Sequence, residues 1–253
     1  MVKDQKNPGT QAIGRAFQIL RIVAGQGGQG VRLTDLTAEI DLAPATIHRI
    51  LQALRREGVL DQNPMTRRYQ IGKSYLAMME LFSRNSFQER ARQAMQDIVA
   101  ALKCSAYLSV NAGGQMVCID RVISSAAILV IPYDVGERRS LGIGAAGIAL
   151  LAAEAEQYRE IILKKNEGAY ARYGLKVTVI REMVEECIRN GYSYNPGHFI
   201  PGIAGIGVAF VEPAMQRTAV INVAVLSHQV ADAESRNRIA DILRQQVALN
   251  VMT

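Results

Sequence analysis

The segment from Pro44 to Glu57 constrains this chain more than any other. Ile47, Ile50, Leu51 and Leu54 fall at i, i+3, i+4 and i+7, so on a helix they form one apolar stripe. At 100° per residue the opposite face carries Ala45, Arg49, Gln52 and Arg56, flanked by Thr46 and His48. Pro44 suits the first turn of such a helix, and Gly58 suits the left-handed position just past its end. A short helix that is apolar along one edge and small, polar or basic along the other fits a DNA major groove. There arginine and glutamine read base edges, and hydroxyls hold phosphates. A solvated charged face on an ordinary small helical domain is the alternative.

The surrounding sequence favours the groove. Ile13, Ala16, Phe17, Leu20 and Val23 recur every three to four residues and predict an amphipathic first helix, ended by the glycine-rich run 25–30. Leu33, Leu36, Ile40 and Leu42 mark a short second helix, with Thr34 as its cap and a break near Asp41. Residues 59–62 and 67–71 read as a hairpin turned at Asn63-Pro64-Met65-Thr66, with Arg67 and Arg68 close to its tip. Helix, short helix, recognition-like helix and basic hairpin describe a winged helix-turn-helix. The chain of 253 residues carries a net charge of +6, and residues 1–85 hold 12 Lys and Arg against 7 Asp and Glu. The remainder is nearly balanced, at 17 against 16. An excess confined to the first third is expected if that third faces a polyanion. The expected DNA contacts are Arg32, Thr34, Pro44, Ala45, Thr46, His48, Arg49, Gln52, Arg67 and Arg68, with Thr46, Arg49 and the two hairpin arginines foremost.

Several other classes are excluded or disfavoured. Hydrophobic residues at 49% and charged residues at 21% are the balance of a globular protein with a real core, not of a disordered chain. The apolar run Leu141 to Ala153 falls short of the ~20 residues a membrane-spanning helix needs. Met1-Val2-Lys3-Asp4 begins no signal peptide, so a cytoplasmic location is expected. Cys104, Cys118 and Cys187 are odd in number and far apart, which supports neither a disulfide framework nor a zinc site. Ser109, Ser140 and Ser193 lack a nearby histidine, and G-x-S-x-G is absent. No catalytic residue, metal or cofactor is expected.

Beyond the hairpin, Tyr75, Leu76, Met78, Met79, Leu81 and Phe82 would cover most of a helix circumference. Such a helix must be buried, and a second subunit is the expected cover. A helix from Phe87 to Lys103 leads into strands Ala106–Asn111 and Met116–Val122, then a strand-like Ile128–Ile131. A helix at Val177–Arg189, strands near 205–211 and 218–225, and a closing helix from Ala233 complete an α+β pattern with an antiparallel sheet. Gly142-Ile143-Gly144-Ala145-Ala146-Gly147 is a literal G-x-G-x-x-G. A dinucleotide loop also needs a buried strand before it and an acid about 20 residues on. Glu137-Arg138-Arg139-Ser140 is a poor buried strand, and Ile161-Ile162-Leu163-Lys164-Lys165 closes with no acid. A small-molecule enzyme built on this loop is therefore the weaker alternative. The small residues instead let a helix N-terminus approach a ligand.

Three stretches carry a family resemblance. Ala12 to Leu20, the Pro-x-Thr-x-x-Arg-φ-Leu helix at 44–51 (φ apolar), and Arg68-Tyr69-Gln70-Ile71-Gly72 are similar to the IclR family of bacterial transcription regulators. Asp41 departs from the glycine usual there, and aspartate tolerates a positive φ better than most residues. Val135 to Ala152 and Gly191 to Ile206 resemble the family's GAF-like effector domain. The resemblance implies a winged helix-turn-helix at 1–73, a linker helix at 74–86 and an effector domain at 87–253. It also implies double-stranded operator DNA as partner, a homodimer or homotetramer, and a small organic effector. By position, the implied effector residues are Ala145, Ala146, Asn195, Gly205, Asn222 and Ala224; Gly144, Tyr194 and Ile206 are expected beside them, and His198, in the Pro196-Gly197-His198 loop, either touches the effector or is a solvated loop histidine. An acid, a thiol and a hydroxyl in relatives that bind small keto acids are here Asn195, Gly205 and Ala224. With room left by Gly202, Gly205 and Gly207, a bulkier ligand such as an aromatic catabolite is expected, held by Asn195, Asn222 and Tyr194.

Overall fold

The computed structural model describes residues 8–26, 29–77, 87–124, 133–212 and 216–252. The chain forms two compact units, Met1–Asn85 and Ser86–Thr253.

The first unit holds α1 (Pro8–Gly25), α2 (Leu33–Glu39), α3 (Pro44–Arg56) and the hairpin β1 (Leu60–Gln62) and β2 (Tyr69–Ile71). Leu60 pairs with Ile71 and Gln62 with Tyr69. Val31 adds a bridge to Tyr69, so the wing has a short third edge. Ile19, Val23, Leu36, Ile47, Leu51, Leu60 and Tyr69 close its core. In α3 the stripe lands as the spacing predicts, with Ile47 and Leu51 fully buried. Gly58 has φ +70°, as the end of that helix requires.

Three local expectations are corrected in this unit. The stripe assigned to α1 is only partly the buried one: Val23 is fully buried and Leu20 packs on the core, but Ile13 and Phe17 are 58% and 56% exposed, and Ile19, outside the stripe, is fully buried. The cap of α2 is Arg32 rather than Thr34, and its backbone N–H is received by the Asp35 carboxylate at 2.9 Å. Asp41 has no left-handed backbone; the described non-glycine residues with positive φ are Arg67, Lys103 and Gln216.

The second unit is one antiparallel sheet between two helical layers. Its strands are β3 (Ser105–Asn111), β4 (Gln115–Val122), β5 (Arg138–Ser140), β6 (Ser193–Ile200), β7 (Ile203–Glu212) and β8 (Arg217–Leu226), in the order β5-β4-β3-β8-β7-β6. Alternation along each strand sends successive side chains to opposite faces. Leu108, Val110, Ile206, Ile221 and Val223 pack against α4 (Phe87–Leu102) and α9 (Ala233–Asn250), which supply Met95, Ile98, Ile239 and Leu243. Tyr107, Met116, Cys118 and Val220 face α5 (Gly144–Ala152) and α8 (Val177–Asn190), behind which lie α6 (Glu156–Lys165) and α7 (Glu167–Ala171).

Residues 138–140 form a three-residue antiparallel edge strand on β4, in keeping with their reading as a poor buried strand. After α5 the sequence reading needs amendment. Ile161 to Lys165 belong to a helix, and Pro196-Gly197-His198 lie within β6, where the register slips between Asn195 and Ile200. Residues 73–77 are helical. The rest of the expected linker helix and the Ile128–Ile131 strand lie outside the described residues. No described helix is long and apolar enough to cross a membrane.

Candidate nucleic-acid interface and ligand cavity

On α3 the face opposite Ile47 and Leu51 is open: Ala45, His48 and Arg49 are exposed, and Thr46 and Gln52 are half-buried. Pro44 starts the helix without needing an N–H partner. The polar side chains brace one another. Gln52 Nε2 lies 3.2 Å from His48 Nε2, and Arg55 Nη1 donates to Gln52 Oε1 and to Gln62 Oε1 of β1, each at 3.2 Å. This ties the helix to the wing.

At the wing tip, Asn63 Oδ1 accepts from the backbone N–H groups of Met65 and Thr66. Arg67 is exposed and held at φ +58°. Arg68 differs: its Nη1 donates to the Gly30 carbonyl at 2.8 Å, so the side chain fastens the wing to the preceding loop. Arg32 and Thr34 are exposed at the start of α2.

The second candidate site lies on the α5 face of the sheet. A cleft of about 380 Å³, its open mouth included, is lined by Tyr133, Arg139, Gly144, Ala145, Asn195, Ile200, Ile203, Ala204, Gly205, Asn222, Val223 and Ala224. Six of the ten expected effector residues line it: Gly144, Ala145, Asn195, Gly205, Asn222 and Ala224. Four do not. Tyr194 and Ile206 point to the opposite face; Ile206 is fully buried against the α4–α9 layer, and the Arg236 guanidinium stacks over the Tyr194 ring at 4.7 Å. Both follow from strand alternation, since their neighbours Asn195 and Gly205 are the residues that face the cleft. Ala146 is buried inside the α5 packing, and His198 is exposed outside the lining.

Glycine does not leave the space that sequence reasoning assigns to it. A Cβ on Gly205 would lie 2.9 Å from the Ala145 methyl, and one on Gly207 would lie 2.9 Å from Ser193 Oγ. These two glycines let α5 and β6 settle onto the sheet, whereas Gly202 faces open space. In the G-x-G-x-x-G run, Gly142 has φ +94° and sits against Tyr170 and Ile180, while its N–H donates to the Gly147 carbonyl at 2.8 Å. The motif closes a strand-to-helix corner.

The polar groups of the cleft are mainly donors. Asn195 Oδ1 accepts from the N–H groups of Gly197 (2.9 Å) and His198 (3.1 Å), which leaves its Nδ2 as the free end. Asn222 Oδ1 accepts from the Tyr133 hydroxyl at 2.7 Å, leaving another amide donor. Gly144 and Ala145 stand in the first turn of α5, where backbone N–H groups have no intrahelical acceptor. None of the lining residues is acidic. Burial pushes the Tyr133 hydroxyl far above the usual tyrosine range, so it stays protonated and can donate. Ser109, fully buried on the same sheet face, has no hydrogen-bond partner of good geometry among the described residues.

Sequence reasoning missed Tyr133, Arg139, Ile200, Ile203, Ala204 and Val223. Tyr133 stacks on Tyr107, with ring centroids 4.7 Å apart, and the Arg139 guanidinium lies 4.9 Å from the Tyr133 ring centroid. Cys104, Cys118 and Cys187 are buried, and burial pushes each thiol up to about 12. None supplies a thiolate at neutral pH.

A winged helix-turn-helix in one unit and a donor-lined cleft in an antiparallel α+β unit define a class of protein, the ligand-responsive DNA-binding regulator. A profile of the IclR helix-turn-helix domain matches residues 12–64, and one of the bacterial transcriptional regulator IclR C-terminal domain matches residues 79–251. The chain belongs to the IclR family of transcriptional regulators. It is similar to the HTH-type transcriptional regulator BhcR of Paracoccus denitrificans, 26% identical over 232 residues, which cover 89% of this chain and 81% of that protein. It is also similar to the regulator XynR of Escherichia coli, 22% identical over 241 residues, covering 91% and 92%. In fold it resembles an IclR regulator from a Silicibacter species, with a TM-score of 0.77 at 19% identity, covering 94% of each chain. It also resembles an IclR homologue from Microbacterium hydrocarbonoxydans complexed with 4-hydroxybenzoate, with a TM-score of 0.68 at 17% identity, covering 92% and 97%.

Proposed function

We propose that this protein is a cytoplasmic one-component regulator of a catabolic operon, working as a homodimer or homotetramer on a near-palindromic operator. The observation that carries the DNA reading is the open face of α3, which presents Arg49 with Ala45, Thr46, His48 and Gln52 while Ile47 and Leu51 anchor the helix. Arg49 is assigned to base edges, and Arg67, from the wing, to phosphates. Arg32, Thr34, Pro44 and Arg68 complete the contact surface, Arg68 by bracing the wing on Gly30.

In the second unit the cleft receives a small, largely apolar organic effector, with an aromatic catabolite favoured by the Tyr133 ring, Ile200 and Ile203. The 4-hydroxybenzoate in a structure of similar fold supports that choice of probe. Asn195 and Asn222 orient the ligand. The effector regulates only to the extent that it binds the DNA-competent and DNA-incompetent states unequally.

Retention of a promoter fragment by the full-length protein tests the reading. Salt-sensitive and sequence-selective retention, altered by an aromatic acid, is the expected result. Saturable binding of glyoxylate or pyruvate alone overturns the effector assignment.

A further inference from the structure

Arg139 is the charged member of the cleft lining, and its side chain is only 8% exposed. A buried cation is costly unless paired, so its partner is informative. One partner is Glu137, two residues earlier and therefore on the same face of the extended chain. Glu137 is far more exposed, at 38%. Its Oε1 alone accepts from both Nε (2.9 Å) and Nη2 (2.6 Å) of Arg139, while Oε2 turns to the Asp134 N–H at 3.0 Å. The pair thus lacks the two-oxygen fork in which arginine holds a carboxylate best.

The guanidinium also rests on the Tyr133 ring, which is fixed in turn by Tyr107 and by the hydrogen bond to Asn222. Its position therefore does not depend on Glu137 alone.

We propose that Arg139 is the specificity-determining anion anchor of the cleft, and that Glu137 is an internal stand-in for the ligand. A carboxylate on the effector takes over the guanidinium with both oxygens, and Glu137 moves out to the solvent that already reaches it. The amide donors of Asn195 and Asn222 and the first turn of α5 face the same space, so no lining acid opposes the incoming charge. This inference rests on the ligand cleft proposed above.

The test is isothermal titration of the full-length protein with 4-hydroxybenzoate, benzoate and pyruvate, each beside its uncharged carboxamide. Wild type is expected to prefer the acid. Arg139→Gln should weaken the acid by about tenfold or more, the loss of a charged hydrogen-bonding partner, and leave the amide within about twofold. Arg139→Lys keeps the charge without the fork and should give an intermediate loss, which serves if the glutamine variant does not fold. Glu137→Gln should move affinity the other way and tighten the acid several-fold, because it removes the competitor. A pair with only a structural role weakens both probes in both variants, and that result overturns the proposal. So does the absence of binding of any of the acids by wild type. The regulator reading is judged separately, by promoter retention.

Discussion

Helix α3 and the α5 face of the large sheet place function differently with respect to the core. On α3 the buried and working residues alternate around one cylinder, so Arg49 is exposed while Ile47 and Leu51 hold the helix down. On the sheet the residues proposed to hold the effector are themselves buried. Asn195, Asn222 and Arg139 are all under 10% exposed, and each is tied to a specific partner. Exposed polar groups can change without disturbing the fold, whereas buried ones must be satisfied or the fold loses free energy. Function and stability are therefore separable in the first unit and coupled in the second.

The largest effect serves as a reference for that comparison. Ile221→Ala on β8 removes a fully buried side chain from the face opposite the cleft. It should destabilise the second unit by ~2–5 kcal/mol, read from urea denaturation. One position on, Asn222→Ala tests the coupled case. It strips the acceptor from the buried Tyr133 hydroxyl and should destabilise by ~1–3 kcal/mol while also weakening effector binding. If Asn222→Ala changed ligand affinity with no change in the unfolding midpoint, the claim of coupling would fail.

The same contrast explains what was legible in the sequence. A helix carries its burial pattern in its own periodicity, so α3, the wing and the basic excess could be read locally. Even there α1 misled, because Ile13 and Phe17 form an apolar row that is not the buried one. In the second unit strands β3, β4, β7 and β8 were legible whereas β5 and β6 were not, and most of the expected residues that line the cleft followed from resemblance. Tyr194 and Ile206 were assigned without strand parity, which puts neighbours on opposite faces. Tyr133 and Arg139 reach the cleft from a connection and a short edge strand, a juxtaposition made by topology that no local spacing records. The glycines misled in a third way: their missing side chains are filled by Ala145 and Ser193.

Arg49→Ala tests the separable case. Operator binding should fall by ~1–3 kcal/mol with relaxed preference at one base pair, while the unfolding free energy stays within about 0.5 kcal/mol of wild type. Fluorescence anisotropy on operator and single-base variants, with a parallel denaturation curve, reads both. Unchanged operator affinity would remove α3 from the groove.

The smallest effect sharpens the comparison most, because it should separate the two quantities in sign. Arg67 sits at the wing tip with φ +58°, a left-handed backbone that disfavours any residue with a Cβ. Arg67→Gly should relieve that strain and stabilise the first unit, by up to ~1 kcal/mol once glycine's greater freedom in the unfolded chain is offset. The same change deletes the phosphate contact proposed for this residue. Binding should then weaken alike for all sequences, and the slope of log affinity against log salt should fall by about one. A more stable protein that binds DNA less tightly is what an exposed working residue predicts, since strain is kept there for the position of a charge and not for the core. If Arg67→Gly lowered stability, the tip would be held by contacts of the arginine side chain, and the wing would belong with the buried, coupled sites of the second unit.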